Sequence, residues 1–327
     1  MDAVRTRWWP VLGLLILSPI CAEYLSAYAA DTGDALALLG GLLVLAPLYG
    51  APALLAREVA RHHGLGWPGM LLLFTALGLV QAGIIDQSIV NHDYRGFPEW
   101  TQLWQPTYVA SLDLSFYALV AFTLGHAVAS FAAPVLLVEV LSGRGREPWL
   151  GRWGGTLLAL LYVVAWVILD DHLASEGWQL STGQLIGFAV AAAVLVVLAF
   201  RSVHVRRGLG PGPAATWPVP PVWSLLLVGI VVESGLGWSI VPSALGVFCV
   251  VLVVVCVALL RWGRNPAWSV RHEVALAIGV LLSRSAGGFL ITPTDGARGL
   301  ATYTQNAVAV LLVLALAVAA DRKTRAR

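Results

Sequence analysis

The chain has 327 residues, 58% of them hydrophobic and only 12% charged, with a formal net charge of +2. Soluble globular proteins carry about 25% charged residues, so this composition excludes a water-soluble globular domain and leaves no basic surface for nucleic acid. Apolar runs recur from end to end, each long enough to cross a hydrocarbon core of ~30 Å as a helix. Lipid forces every backbone polar group to bond internally, so the chain reads as an all-α, polytopic transmembrane helix bundle.

Ten spans are expected, at about 8–29, 36–56, 67–90, 113–141, 153–171, 181–200, 221–240, 242–261, 271–291 and 301–320. Arg5, Arg7, the apolar stretch after them and "AYAA" at 27–30 imitate a signal peptide. Pro19 and Glu23 interrupt that stretch, and the segment is long enough to span, so it reads as an uncleaved first helix, bent by Pro19 one turn before Glu23. Cys21 lies here, and Cys249 and Cys256 lie in a later run; with no CxxC spacing they read as small packed hydrophobes. In the third span Gln81 and Ser88, seven residues apart, share one helix face, with Asp86 between them.

The loop 91–113 places Trp100, Leu103 and Trp104 on one face of a short helix. That fits a helix resting on the lipid headgroups, or a lid over an outward-facing cavity. In the fourth span Ser115, His126 and Ser130 fall on one face, while Glu139, near the inner end, is placed to snorkel to cytoplasmic water. Asp170, Asp171, His172 and Glu176 cluster in "LDDHLASEGW" (169–178). The spacing suits a divalent cation, but an acidic solvated loop accounts for it, and no metal site is assigned.

Residues 201–221, basic and then rich in Gly and Pro, read as a cytoplasmic linker between a six-span part (about 8–200) and a four-span part (about 221–320) of one membrane domain covering 1–327. Gly229, Glu233 and Gly237 follow at i, i+4 in the seventh span, clearing space beside the carboxylate. The stretch 229–241 also echoes 78–90, a short match that raises the question of an internal repeat. Arg284, flanked by Ser283 and Ser285 with Gly288 one turn on, is expected to pair with Glu23, Glu233 or both. Tyr303, Gln305 and Asn306 open the tenth span.

With the N-terminus inside, every Lys and Arg except Arg95, Arg284 and Arg298 falls on the inner side, as the positive-inside rule requires. Both termini are then cytoplasmic in a bacterial plasma membrane, and all tryptophans but Trp166 fall at span ends. A charge at the centre of a span costs ~2.5–3.5 kcal/mol on insertion scales, so those present need a reason. Glu23, Gln81, Asp86, His126, Ser130, Glu233, Arg284 and Asn306 share one depth, between midplane and outer surface, and are expected to gather in an outward-facing polar cavity. Fastening of helices by polar pairs is the competing explanation.

The stretches "YGAPALLAREVARHHGLGWPGMLLL" (49–73), "VQAGIIDQSIV" (80–90) and "GHAVASFAAPVLLVE" (125–139) resemble a functionally uncharacterised family of bacterial polytopic membrane proteins. The Arg-rich, almost lysine-free usage is similar to that of high-GC actinomycete-type genomes. Phe122-x-x-x-His126 is similar to the second motif of CAAX-type intramembrane metalloproteases, which also carry paired glutamates with an arginine and a later histidine. Here Gln81-Ala82 stands where the acidic pair would be, and no later in-span histidine follows, so the resemblance implies a divergent or inactive hydrolase at most. No nucleotide loop or nucleophile elbow is present, and no cofactor is expected. The leading expectation is a transporter-like or small-molecule-binding bundle whose partners are membrane lipid and a small molecule or ion; the alternative is a structural or assembly subunit.

Overall fold

The computed structural model describes residues 8–94, 96–97, 99–145, 147–175, 177–209, 217–294 and 298–326, with the backbone alone for 203–209. Among the described residues, ten long helices lie along the apolar runs. They are α1 (Trp8–Tyr24), α2 (Ala35–His62), α3 (Trp67–Ile85), α5 (Phe116–Ser142), α6 (Arg152–Ser175), α7 (Thr182–Leu209), α8 (Val222–Trp238), α9 (Pro242–Trp262), α10 (Val270–Gly287) and α11 (Leu300–Arg325). Seven of them are long and apolar enough to cross a membrane, α1 and α8 are shorter apolar helices, and α10 carries Arg271, Glu273 and Arg284. The protein is an all-α membrane bundle.

Its axis is α5, against which α1, α2, α3, α10 and α11 pack. The perimeter is formed by α6, α7, α9 and α11, which turn Leu160, Val167, Ile186, Val190, Val250, Val253 and Leu311 outward. In water such faces would be exposed apolar patches; against lipid tails they are ordinary surface.

Small residues set the closest crossings. A Cβ on Gly78 would run into the Thr123 carbonyl where α3 crosses α5 antiparallel, and a Cβ on Gly279 into the Leu226 carbonyl where α10 lies parallel to α8. Ser234 and Ser283 share a 2.9 Å hydrogen bond beside that second crossing. The echo between 78–90 and 229–241 therefore does not extend to packing: one segment meets an antiparallel partner, the other a parallel one. Nor does Gly237 clear space for a neighbour, since nothing lies within reach of a Cβ there.

Four helices widen into π-helical turns with i→i+5 hydrogen bonds: Ile20–Tyr24 in α1, Ala46–Gly50 in α2, Gln81–Ile85 in α3 and His126–Ala132 in α5. Prolines accompany three of them, Pro19 just before the first, Pro47 inside the second and Pro134 just after the fourth; a residue with no N–H interrupts the regular ladder. Such turns recur at functional sites.

Past Ile85 the chain leaves the helix, because Gln87 takes a left-handed conformation (φ 58). Ser88 thus sits in a turn, its hydroxyl on the Ala82 carbonyl, rather than on a helix face with Gln81. Ser115 likewise lies outside α5 as its N-cap, accepting from the Ala118 N–H. Between them the loop folds into a short helix α4 (Trp100–Trp104) and a two-residue hairpin of β1 (Tyr108–Val109) and β2 (Leu114–Ser115), in register Tyr108↔Ser115. Trp100 and Trp104 are buried. The loop is a cap folded onto the bundle, not a helix lying on headgroups, because both indole N–H groups find carbonyl partners there: Asn91 at 2.8 Å and Ile89 at 3.1 Å. The expected 201–221 linker begins as a continuation of α7, and residues 210–216 of it lie outside the described residues.

At the opposite end of the bundle a charged network is sealed in. Arg57, with no exposed surface, donates to Glu139 (2.9 Å), Glu58 (2.5 Å) and the carbonyls of Arg144 and Gly145, and lies 3.7 Å over the Trp149 ring. Arg61 grips the same Glu139 with two nitrogens, at 2.8 and 2.5 Å. Glu139 does not snorkel: two guanidiniums satisfy it in place. Glu58 in turn accepts the N–H groups of Trp149 and Leu150, so the network ties α2 and α5 to the connection that enters α6.

Candidate functional site

The ends of α1, α3 and α10 and the start of α5 converge beneath the 86–115 cap around a cavity of about 220 Å³. The wide turns aim polar groups at it. Ile20–Tyr24 brings in Glu23, whose carboxylate accepts the Tyr28 hydroxyl at 2.5 Å and the hydroxyl of Tyr49, a buried residue supplied by Ala46–Gly50. Gln81–Ile85 leads directly into Asp86, and His126–Ala132 begins with His126. The His126 Nε2 lies 3.2 Å from Asp86 Oδ2 and Nδ1 lies 3.3 Å from Ser130 Oγ. Against a carboxylate Nε2 is the donor, which leaves Nδ1 to accept from the serine. The Tyr49 ring, 5.7 Å from the imidazole, joins the two carboxylate groups into one polar floor.

Arg284 reaches this floor from α10. Its Nε donates to Glu233 at 2.8 Å and its Nη1 to the Ala22 carbonyl at 3.1 Å. Nη2 lies beside Gly125, where an added Cβ would come within 3.0 Å of it; glycine keeps that space open. The expected ion pair therefore forms with Glu233, while Glu23 is held by phenols.

Backbone strain sits at the same place. Ala27 (φ 51) and Gln87 (φ 58) are left-handed non-glycine residues, a conformation costing about 1–2 kcal/mol each. Their neighbours Ser26, Tyr28, Asp86 and Ser88 all line the cavity. The upper wall is aromatic: Tyr94, Phe97 and Trp100 descend from the cap and meet Tyr117 and Phe122 of α5. Trp100 is stacked between Tyr94 (4.9 Å) and Phe122 (5.6 Å).

Of the residues singled out in the sequence, Glu23, Asp86, His126 and Arg284 reach the cavity surface. Ser130 and Glu233 stand one contact behind it, through His126 and Arg284. Gln81 is fully buried, and neither of its amide atoms has a hydrogen-bond partner among the described residues. Asn306 packs behind Gly288, donating to its carbonyl at 3.0 Å. Gln305 ties α11 to the α1–α2 connection through the Gly33 N–H and the Tyr24 carbonyl, and Tyr303 stacks on Phe289 at the exposed edge.

Tyr28 and Tyr49, and Tyr94, Phe97 and Tyr117 of the aromatic wall, escape a sequence reading, because an uncharged ring gives nothing to attract notice; Trp100 and Phe122 of the wall do stand out in the sequence. The two prolines around Tyr49, in "APLYGAP", are the available signal, since mid-span prolines mark irregular turns. His126 has one acidic neighbour, not the pair a water-activating metal site uses. Among the described residues no group of three or more His, Cys, Asp or Glu is placed to hold a metal ion. Asp170 instead accepts from Gln87 at 3.4 Å, and Glu176 lies outside the described residues.

No curated protein and no solved structure matches the chain. A family model does match, over residues 12–325. By that match, the chain belongs to an uncharacterized membrane protein family.

Proposed function

We propose that this multi-pass membrane protein is a transporter-like bundle that binds a small molecule in the capped cavity, with ten spans, both termini in the cytoplasm of a bacterial cell, and the cavity facing outward. The observation that carries the reading is convergence. Glu23, Asp86, His126 and Arg284, from four separate stretches of chain, meet at one cavity whose floor is built from wide helical turns. Pure fastening of helices needs no such space; the Arg57–Glu139–Arg61 network, with its charges largely buried and paired with one another, is the contrasting arrangement in the same molecule. The orientation is supported by Arg57, Arg61, Arg144 and Arg152 gathering at the end opposite the cap.

The test is labelling of Ser26→Cys, on the cavity wall, in a background with Cys21, Cys249 and Cys256 replaced by alanine. A membrane-impermeant maleimide should react with this position in intact cells. Reaction only after the cells are permeabilised would overturn the outward orientation, and no reaction even in detergent would remove the accessible cavity.

A further inference from the structure

Resting on the reading of the cavity as a binding site, we infer that its ligand is an organic cation, an ammonium group carried on a compact apolar or aromatic body. Charge is the first argument. Among the described residues lining the cavity, Arg284 is the one guanidinium, and Glu233 behind the wall neutralises it at 2.8 Å. Glu23 and Asp86 remain. Glu23 is held by two phenol hydroxyls, which are neutral donors that fix a carboxylate without cancelling its charge. Asp86 accepts the Ser88 N–H at 2.9 Å and faces the His126 imidazole. Setting His126 aside, Glu23, Asp86, Glu233 and Arg284 leave a formal excess of two negative charges beside a cavity walled mostly by apolar and aromatic side chains. Such an excess is costly unless a positive charge enters to meet it.

The wall above the carboxylates supplies the second argument. Tyr94, Phe97, Tyr117 and Phe122 line the cavity around Trp100, whose own two faces Tyr94 and Phe122 cover. Ring faces attract cations, more strongly where water is excluded, and they accept a flat apolar body without asking it for hydrogen bonds. Carboxylates below and ring faces above match an ammonium with an apolar substituent. A carboxylate ligand would meet like charge, and a neutral one would leave Glu23 and Asp86 unmet. The cavity of about 220 Å³ limits the ligand to a small molecule.

The experiment uses the full chain in lipid nanodiscs and a set of probes that share one body and differ in charge: 2-phenylethylammonium, 2-phenylethanol, 3-phenylpropionate and zwitterionic phenylalanine, with tetraethylammonium as a second cation. Isothermal calorimetry should show at least one of the two cations binding about ten-fold or more tighter than the alcohol, the carboxylate and the zwitterion. Asp86→Asn and, separately, Phe97→Leu should each weaken that cation by a similar factor in protein that remains monodisperse. Equal or tighter binding of the alcohol, the carboxylate or phenylalanine would overturn the cation assignment while leaving the cavity a binding site. Absence of binding by every probe to the wild-type protein would overturn both. Because the comparison among probes is made on the wild-type chain, it stands even where a variant fails to fold.

Discussion

Arg57 and Gln81 are both buried without exposed surface, yet only Arg57 has its polar atoms met. Removing one member of a buried ionic network strands the others at a cost of about 3–5 kcal/mol, whereas replacing an unpartnered amide by an apolar chain of similar volume is neutral or favourable. Arg57→Met should therefore abolish the monodisperse peak in detergent or lower the melting temperature steeply, while Gln81→Met should leave it unchanged or raise it. Thermal unfolding followed by size-exclusion chromatography separates the two outcomes. The same pair shows what a single sequence discloses. Glu23, Asp86, His126 and Arg284 stand out because ionisable groups in lipid need a reason, and that expense is visible without knowing the neighbours. Arg57 and Glu139 sit near span ends, where snorkelling satisfies them on paper. Their union joins residues 82 positions apart, which no local pattern encodes.

At the scale of elements, the cap depends on a knot at its hairpin. Asp113, itself left-handed (φ 49), accepts from the Tyr108 hydroxyl and pairs with His92 Nε2, both at 2.8 Å. Burial pushes the Asp113 carboxyl up, but the bonds from Tyr108 and His92 outweigh it and hold the carboxyl below its usual range. The Tyr108 phenol is held above its usual range, first by the bond to Asp113 and then by burial. A carboxyl lowered in the folded state contributes stability at pH values above its unfolded pKa, and that contribution is lost as pH falls through the folded value, here below about pH 4. Acid titration should therefore loosen the cap, seen as a red shift of tryptophan emission as Trp100 and Trp104 meet water. Asp113→Asn should show part of that shift at pH 7 and no further acid step from this site; an unchanged titration in the variant would refute the knot. The long helices were legible as apolar runs, whereas the cap was legible only as one of two alternatives, a lid or an interfacial helix. Its order comes from indole-to-carbonyl bonds and ring stacking between residues that read equally well as an interfacial helix.

Across the whole molecule the polar groups divide between two ends, a closed basic network at one and a capped cavity at the other, with α5 running through both. The last turn of α11 carries Arg322, Lys323 and Arg325, which supports the proposed cytoplasmic placement of this end. Alkaline phosphatase fused after Ala326 should stay inactive in cells and a fluorescent protein fused there should glow; the reverse result would invert the topology. One feature of α5 bears on how such a chain tolerates change in length. His126 and Glu139 are separated by 13 positions, roughly 20 Å of helix, and the wide turn His126–Ala132 lies between them. Deleting a single residue there, Ala129 for instance, would let the turn close as ordinary α-helix, because a π-turn holds one more residue than the α-turn it replaces and leaves the flanking helix nearly in phase. Glu139 would then keep its place beside Arg57 and Arg61, while the side chains inside the turn would change the direction they face. The same deletion in the regular helix between Ala133 and Glu139 would rotate Glu139 by about 100° away from both guanidiniums, so the wide turn is the one place in the middle of this helix where a lost residue is absorbed locally.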